Sequence, residues 1–129
     1  MSVIHTALWV SNLEATKAFY MDTLGFEHQL DFEWPTDAED SVTNYYVGRG
    51  NVAELQFRYD PSRMAAIEPS GIDHIAIAVE EVDAEFDRIV EETGCPVVTE
   101  PVNISPANNR VAFIEDPDGY VVELVEDLG

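Results

Sequence analysis

The chain has 129 residues, 46% of them apolar, with 26 acidic side chains against 6 basic ones and a formal net charge of −20. That length holds one compact domain, or two small modules sharing one core, and no apolar run approaches the ~18 residues a membrane span needs. A surface so acidic repels nucleic acid and anionic lipid, and the lone Cys95 excludes an internal disulfide and fits a reducing cytoplasm.

The first ten residues have neither a basic start nor a cleavage pattern, so no export signal is expected and the expected location is cytoplasmic. Val3 to Val10 reads as a strand, with His5 on a face with Val3, Ala7 and Trp9. Asn12 is the expected N-cap of a helix from Leu13 to Leu24, with Ala15, Ala18, Phe19 and Asp22 at helical spacing and Gly25 past its end. Phe26 to Trp34 follows as a strand, with Phe26, His28, Leu30, Phe32 and Trp34 on one face; His28 is read as structural. Pro35 to Asp40 is an acidic loop. Val42 to Gly48 and Val52 to Arg58 are strands joined by Arg49-Gly50-Asn51.

Tyr59 to Gly71 reads as a linker, polar and with Pro61 and Pro69, carrying one helical turn around Met64 to Ile67. Ile72 to Val79 repeats the first strand, with His74 among Ile72, Ala76 and Ala78. Val82 to Thr93 is the second helix, apolar at Val82, Phe86, Ile89 and Val90. Cys95, after Gly94, is expected as a small buried hydrophobe. Pro96 to Val102 is a strand and Asn103 to Asn109 a polar loop. Asp116-Pro117-Asp118-Gly119 is a tight-turn signal between strands at Val111 to Ile114 and Tyr120 to Val125. Alternation then puts Glu123 on a face with Val121 and Val125, and an ionised carboxylate there is costly unless paired or bound to metal.

A repeat organises these elements. An offset of 69 takes Glu54 to Glu123, Leu55 to Leu124, Gly50 to Gly119, His5 to His74, Val10 to Val79 and Gly25 to Gly94. Each half is therefore β-α-β-β-β, and the fold class is α+β: two tandem modules, 1–58 and 72–129, in one domain spanning 1–129. Each sheet has one face covered by its helix, and pairing the halves curves the sheets around a shared cleft. Two imidazoles and two carboxylates, His5, Glu54, His74 and Glu123, make a mixed N/O site for a borderline divalent ion: Ni, Co, Zn, Mn or Fe(II). Two short modules also leave long sheet edges, from which a homodimer is expected. A large charge of one sign keeps a protein soluble where salt screens repulsion. A salt-rich, halophile-like cytoplasm is the expected setting, against the plainer reading of an ordinary acidic protein.

The segments His5-Thr6-Ala7-Leu8-Trp9-Val10, Phe19-Tyr20, Leu24-Gly25-Phe26, Gly71-Ile72-Asp73-His74-Ile75-Ala76 and Glu115-Asp116-Pro117-Asp118-Gly119-Tyr120-Val121-Val122-Glu123-Leu124 resemble glyoxalase I, of the vicinal oxygen chelate superfamily. The resemblance covers nearly the whole chain, and the His, Glu, His, Glu set falls on that family's four metal positions. It implies paired βαβββ modules, a homodimer with sites between subunits, and one divalent ion per site, with nickel or cobalt favoured by the compact chain. The implied reaction is methylglyoxal detoxification: a 2-oxoaldehyde–thiol hemithioacetal becomes a 2-hydroxyacyl thioester. A metal that chelates two neighbouring substrate oxygens acidifies the C–H bond between them, and Glu123 first, Glu54 second, are the expected bases.

Two positions depart from the family's glutathione-using members, which carry arginine where Trp9 stands and asparagine where Arg58 stands. Trp9, Arg58 and Arg110 are the expected substrate contacts, with Arg63 a further guanidinium able to pair with a carboxylate. Three other activities share the scaffold. An extradiol dioxygenase would use Fe(II) on two histidines and one carboxylate, leaving Glu54 without a role. An acyl-thioester epimerase has glutamine in the place of Glu54, and Gln56 keeps that option open. A drug-sequestering protein of the bleomycin-resistance kind lacks the four ligands.

Overall fold

The computed structural model describes residues 1, 3–35, 39–63 and 66–129. The chain divides into two compact units, Met1–Ile67 and Glu68–Gly129. Each contains a four-stranded sheet with helical structure between its first and second strands.

The first unit contains β1 (Thr6–Trp9), α1 (Leu13–Lys17), a π-helical stretch (Ala18–Thr23), β2 (Glu27–Trp34), β3 (Val42–Arg49) and β4 (Val52–Tyr59). Its strand order is β1-β4-β3-β2, parallel only between β1 and β4. Asn12 caps α1, its Oδ1 accepting the Ala15 amide at 3.0 Å. After five residues the helix widens, and Leu24 N–H reaches Phe19 O at 3.0 Å. The wider turn accompanies burial of two consecutive rings, Phe19 and Tyr20, whereas Ala18, expected on the inner face, is exposed. Tyr20 packs on Phe57 with ring centroids 5.0 Å apart. By alternation the covered sheet face carries Leu8, Val47, Leu55 and Phe57, all buried, each such side chain worth about 1.5–3 kcal/mol. The opposite face carries Ala7, Trp9, Asn44, Tyr46, Gln56 and Arg58.

β2 differs from its expected pattern. Its pairing with β3 slips between His28 and Leu30, leaving Gln29 as an extra residue. The bulge reverses the alternation, so His28 leaves the face of Leu30, Phe32 and Trp34 and joins that of Asp31. His28 Nε2 lies 2.7 Å from Asp31 Oδ1, and its ring is 4.9 Å from that of Tyr45. A second slip lies between β3 and β4, where Val47 faces Leu55 but Gly48 faces Ala53, and Glu54 is the extra residue. A Cβ on Gly48 would come within 1.7 Å of Val52 O, so only glycine fits.

The second unit contains β5 (Ile75–Ala78), α2 (Val82–Thr93), β6 (Val97–Ile104), a 3₁₀ turn (Ser105–Ala107), β7 (Asn109–Glu115) and β8 (Val121–Asp127), ordered β5-β8-β7-β6. Val82, Phe86 and Ile89 are buried, as are Ala112, Ile114, Val122 and Leu124. Helix α2 has no side-chain cap of its own; Glu126 of β8 accepts the Val82 amide at 2.8 Å instead. Gly94, at φ +64°, ends the helix. The hairpin turn is held by Asp116, whose Oδ1 accepts the amides of Asp118 and Tyr120 at 2.9 Å each. The stretch from Asn103 to Asn109 was expected as a loop, but β6 extends to Ile104 and only Ser105–Ala107 makes the turn. Cys95 is half-buried rather than fully enclosed. Part of the acidic loop after Pro35, and Met64 and Ala65 of the turn expected in the linker, lie outside the described residues.

Candidate metal centre

In the second unit β5 runs parallel to β8, with Ala76 opposite Glu123. His74 stands one residue before β5, on the same face as Ala76, so Glu123 is its diagonal neighbour. The two side chains meet, His74 Nε2 lying 3.1 Å from Glu123 Oε1. The other ring nitrogen, Nδ1, is 2.7 Å from Asp73 Oδ1, and the ring stands edge-on to Phe113 at 5.6 Å. Asp73 thus sets the ring's orientation, as outer carboxylates do for metal-binding histidines.

This arrangement carries its own demand for positive charge. If Nδ1 donates to Asp73, the neutral ring turns a lone pair toward a carboxylate oxygen, and two acceptors 3.1 Å apart repel. A proton on Nε2 or a cation bound by both atoms removes the conflict. The Asp73 hydrogen bond, with Glu123 adding to it, raises the His74 pKa above its usual value against a smaller opposing effect of burial. Two donors each ~2.1 Å from one ion at 90–110° stand roughly 3.0–3.4 Å apart, so the pair also fits two corners of a divalent site.

The first unit offers the matching residues less tightly arranged. His5 stands one residue before β1, half-buried, with its ring edge-on to Tyr46 at 5.3 Å. Thr6 faces Leu55, so continuing the register by one step sets His5 beside Glu54. Glu54 occupies the bulge and is exposed. Among the described residues neither His5 nor Glu54 makes a hydrogen bond or ion pair, which leaves both sets of donor atoms open. The repeat is not reproduced geometrically: the offset between first and last strand is 49 in the first unit, Thr6 to Leu55, and 47 in the second, Ile75 to Val122. Nor are the glutamates equally enclosed, since the Glu123 side chain is 17% exposed. No group of three or more His, Cys, Asp or Glu side chains is arranged to hold an ion among the described residues.

The three expected substrate contacts have different fates. Trp9 lies opposite Arg58 in the parallel register, and the Arg58 guanidinium sits 4.5 Å from the Trp9 ring. Arg63 is 5.0 Å from the same ring. Arg110 is held elsewhere, forked onto Asp83 of α2 (2.6 and 3.0 Å) and donating to Asn103. Two supporting residues escape a reading of the sequence. Asp73 precedes His74 without a repeat counterpart, and Asn44 is a polar residue in an apolar strand with no periodic signal.

A mixed four-stranded sheet crossed by one helix, built twice, defines a tandem βαβββ protein, the α+β vicinal oxygen chelate fold. The chain belongs to the Glyoxalase/Bleomycin resistance protein/Dioxygenase superfamily, whose model matches residues 2–124. It is 31% identical to a probable lactoylglutathione lyase of Synechocystis sp., covering 98% of this chain and 95% of that one. It is 32% identical to a lactoylglutathione lyase of Neisseria meningitidis, covering 98% and 91%. The trypanothione-dependent glyoxalase I of Leishmania major superposes with a TM-score of 0.80 at 27% identity, over 98% of this chain and 87% of that one. Among the described residues no helix is long and apolar enough to cross a membrane.

Proposed function

We propose that this protein is a glyoxalase I-like, metal-dependent lyase that converts a 2-oxoaldehyde–thiol hemithioacetal into a 2-hydroxyacyl thioester. The observation that carries the reading is the His74–Glu123 pair, oriented by Asp73 and short of one positive charge. Family membership and relatives named as lactoylglutathione lyases support it. In this reading His5, Glu54, His74 and Glu123 hold one divalent ion, with nickel or cobalt preferred. Once bound, the ion would polarise the two vicinal oxygens of the substrate and so acidify the C–H bond on the carbon next to the carbonyl.

The chain's own residues do the rest. His74 is a fixed ligand, because Asp73 and Phe113 hold its ring from two directions. Glu123, half-buried beside it, takes the proton from one substrate carbon and returns it to the next. Glu54, unbonded and exposed, is the more easily displaced carboxylate. An epimerase built on Gln56 is less well supported, since that amide is buried and donates to Asn44 Oδ1 at 2.8 Å.

The test is metal analysis of protein purified without chelator, then turnover of methylglyoxal with several thiols under nickel, cobalt and zinc. The expected result is one ion per chain and thioester formation with at least one thiol. Absence of thioester with every metal and thiol would overturn the reading.

A further inference from the structure

We propose that the second unit captures the divalent ion first, through His74 and Glu123 with Asp73 as their positioning residue, and that His5 and Glu54 join it afterwards. The proposal rests on the four-residue metal site of the reading above and adds an order to its assembly.

The first argument is the placement of one proton. Ionised carboxylates only accept hydrogen bonds, and a neutral imidazole has a single N–H to give. His74 meets a carboxylate at each nitrogen, Asp73 Oδ1 at 2.7 Å from Nδ1 and Glu123 Oε1 at 3.1 Å from Nε2. Two bare acceptors repel more steeply the closer they lie, so the shorter contact is the one that takes the proton. Asp73 therefore keeps the N–H of the neutral ring on Nδ1 and leaves the Nε2 lone pair facing Glu123. That is the form a metal ion takes, and the ring needs neither tautomer exchange nor rotation to bind.

The second argument is the surroundings. Glu123 lies in register between Ala76 of β5 and Phe113 of β7, with Val121 and Val125 on the same face of its own strand. Its side chain is 17% exposed, and Phe113 also stands edge-on to the His74 ring at 5.6 Å. A carboxylate among apolar side chains is poorly solvated, so a cation gains more there than at an open surface. The two donor atoms also stand within the roughly 3.0–3.4 Å that a shared ion requires.

The first unit has neither advantage. The offset of 69 that relates His5 to His74 puts Ile4 where Asp73 stands, and an isoleucine side chain accepts no hydrogen bond. Tyr46 touches the His5 ring, yet neither ring nitrogen is hydrogen-bonded among the described residues, so the tautomer and the ring angle are free. Glu54 is exposed and is the unmatched residue of a bulge. Both side chains must be ordered as they bind, which costs conformational entropy that the His74–Glu123 pair has largely lost on folding.

The experiment titrates nickel into metal-free protein by calorimetry at molar KCl, where weak binding to surface carboxylates is screened. A variant with alanine at all four donor positions gives the background. His5→Ala/Glu54→Ala should still bind one nickel per chain, more weakly than the native protein. His74→Ala/Glu123→Ala should bind none above background. In the His5→Ala/Glu54→Ala protein, Asp73→Ala should raise the nickel Kd about 10–100-fold, and Asp73→Asn, which keeps an acceptor, should recover part of the loss. The Asp73 side chain is 97% exposed, so these variants should fold as the native chain does. Long-range proton–nitrogen NMR of the metal-free protein, at a pH where the ring is neutral, should show the His74 proton on Nδ1. In Asp73→Ala that preference should be lost. Equal nickel affinity of the two double variants overturns the proposal, as does an Asp73→Ala protein with unchanged Kd and unchanged tautomer. The expected order of affinities without thioester formation for any thiol leaves the proposal standing and removes the lyase reading. Thioester formation by the native protein, with the two double variants binding nickel alike, does the reverse.

Discussion

His74 titrates between two carboxylates, and in the proposed site a metal ion and a proton would compete for the same nitrogen. Its pKa is raised, chiefly by the Asp73 hydrogen bond. In metal-free protein the imidazolium form then contributes stability that is fully present below about 6.5, the unfolded value, and fades as pH rises through the higher folded value. Metal needs the neutral ring, so metal stabilisation runs the other way and grows over the same interval. The gap in Tm between nickel-loaded and metal-free protein should therefore widen from pH 5.5 to pH 8. A constant gap would show that His74 is not a ligand. His5→Ala and His74→Ala should each lower bound metal sharply, read as metal per chain, and unchanged stoichiometry in both would remove the site. Glu123→Gln at saturating nickel should keep most of its metal and lose about 10²–10⁴ in turnover. Near-native turnover with full metal would reduce Glu123 to a ligand. The two histidines and two glutamates could be singled out because His and Glu recur at one offset. Their unequal exposure was not legible, because it depends on a bulge and on a neighbour, Asp73, that the repeat does not contain.

Elements whose pattern is local were readable, and those fixed by pairing partners were not. Helix α2 runs from Val82 to Thr93 as its apolar spacing and Gly94 predict, and the Asp116–Gly119 turn closes its hairpin. The displaced residues Gln29 and Glu54 leave no trace in composition, since a bulge is a mismatch between two strands rather than a property of one. For Glu54 a partial signal existed in Gly48, a glycine inside an otherwise apolar strand. Gly48→Ala would drive a methyl group into Val52 O, and backbone cannot step aside as a flexible side chain does. The strand must shift, at about 1–3 kcal/mol. Chemical denaturation should show the loss as a lower midpoint with unchanged slope. Gly25→Ala, where no atom lies within 4 Å of the added carbon, isolates the backbone cost of a positive φ (+82°) and serves as the control. Equal stability of Gly48→Ala and the native protein would mean that the close approach at the bulge is not enforced.

At the scale of the whole molecule the dominant fact is a net charge of −20 on 129 residues. Among the described residues half of the six Lys and Arg side chains are tied into ion pairs, and exposed or half-exposed pairs such as Lys17–Glu14 and Arg88–Glu85 are each worth about 0.2–1 kcal/mol, so attraction offsets little of the repulsion. Compaction brings the carboxylates closer than they are in the unfolded chain, and self-repulsion therefore destabilises the folded state. Salt shortens the Debye length from about 10 Å at 0.1 M to about 3 Å at 1 M, which removes most interactions between exposed charges. Losing weak surface pairs costs less than relieving the repulsion gains. The Tm should accordingly rise with KCl between 0.1 and 2 M, steeply at first, as screening saturates. Sodium chloride should act alike if screening is the cause. Homodimer formation follows the same logic: each sheet ends in edge strands, β2 and β6, that carry exposed apolar residues (Leu30, Phe32 and Trp34; Val97, Val98, Val102 and Ile104), and like-charged chains associate only once repulsion is screened. Sedimentation at 2 M KCl should give a dimer, with a larger monomer fraction at low salt. A Tm that falls with KCl would end the proposal of a salt-adapted surface, and a monomer at 2 M would rule out sites shared between subunits.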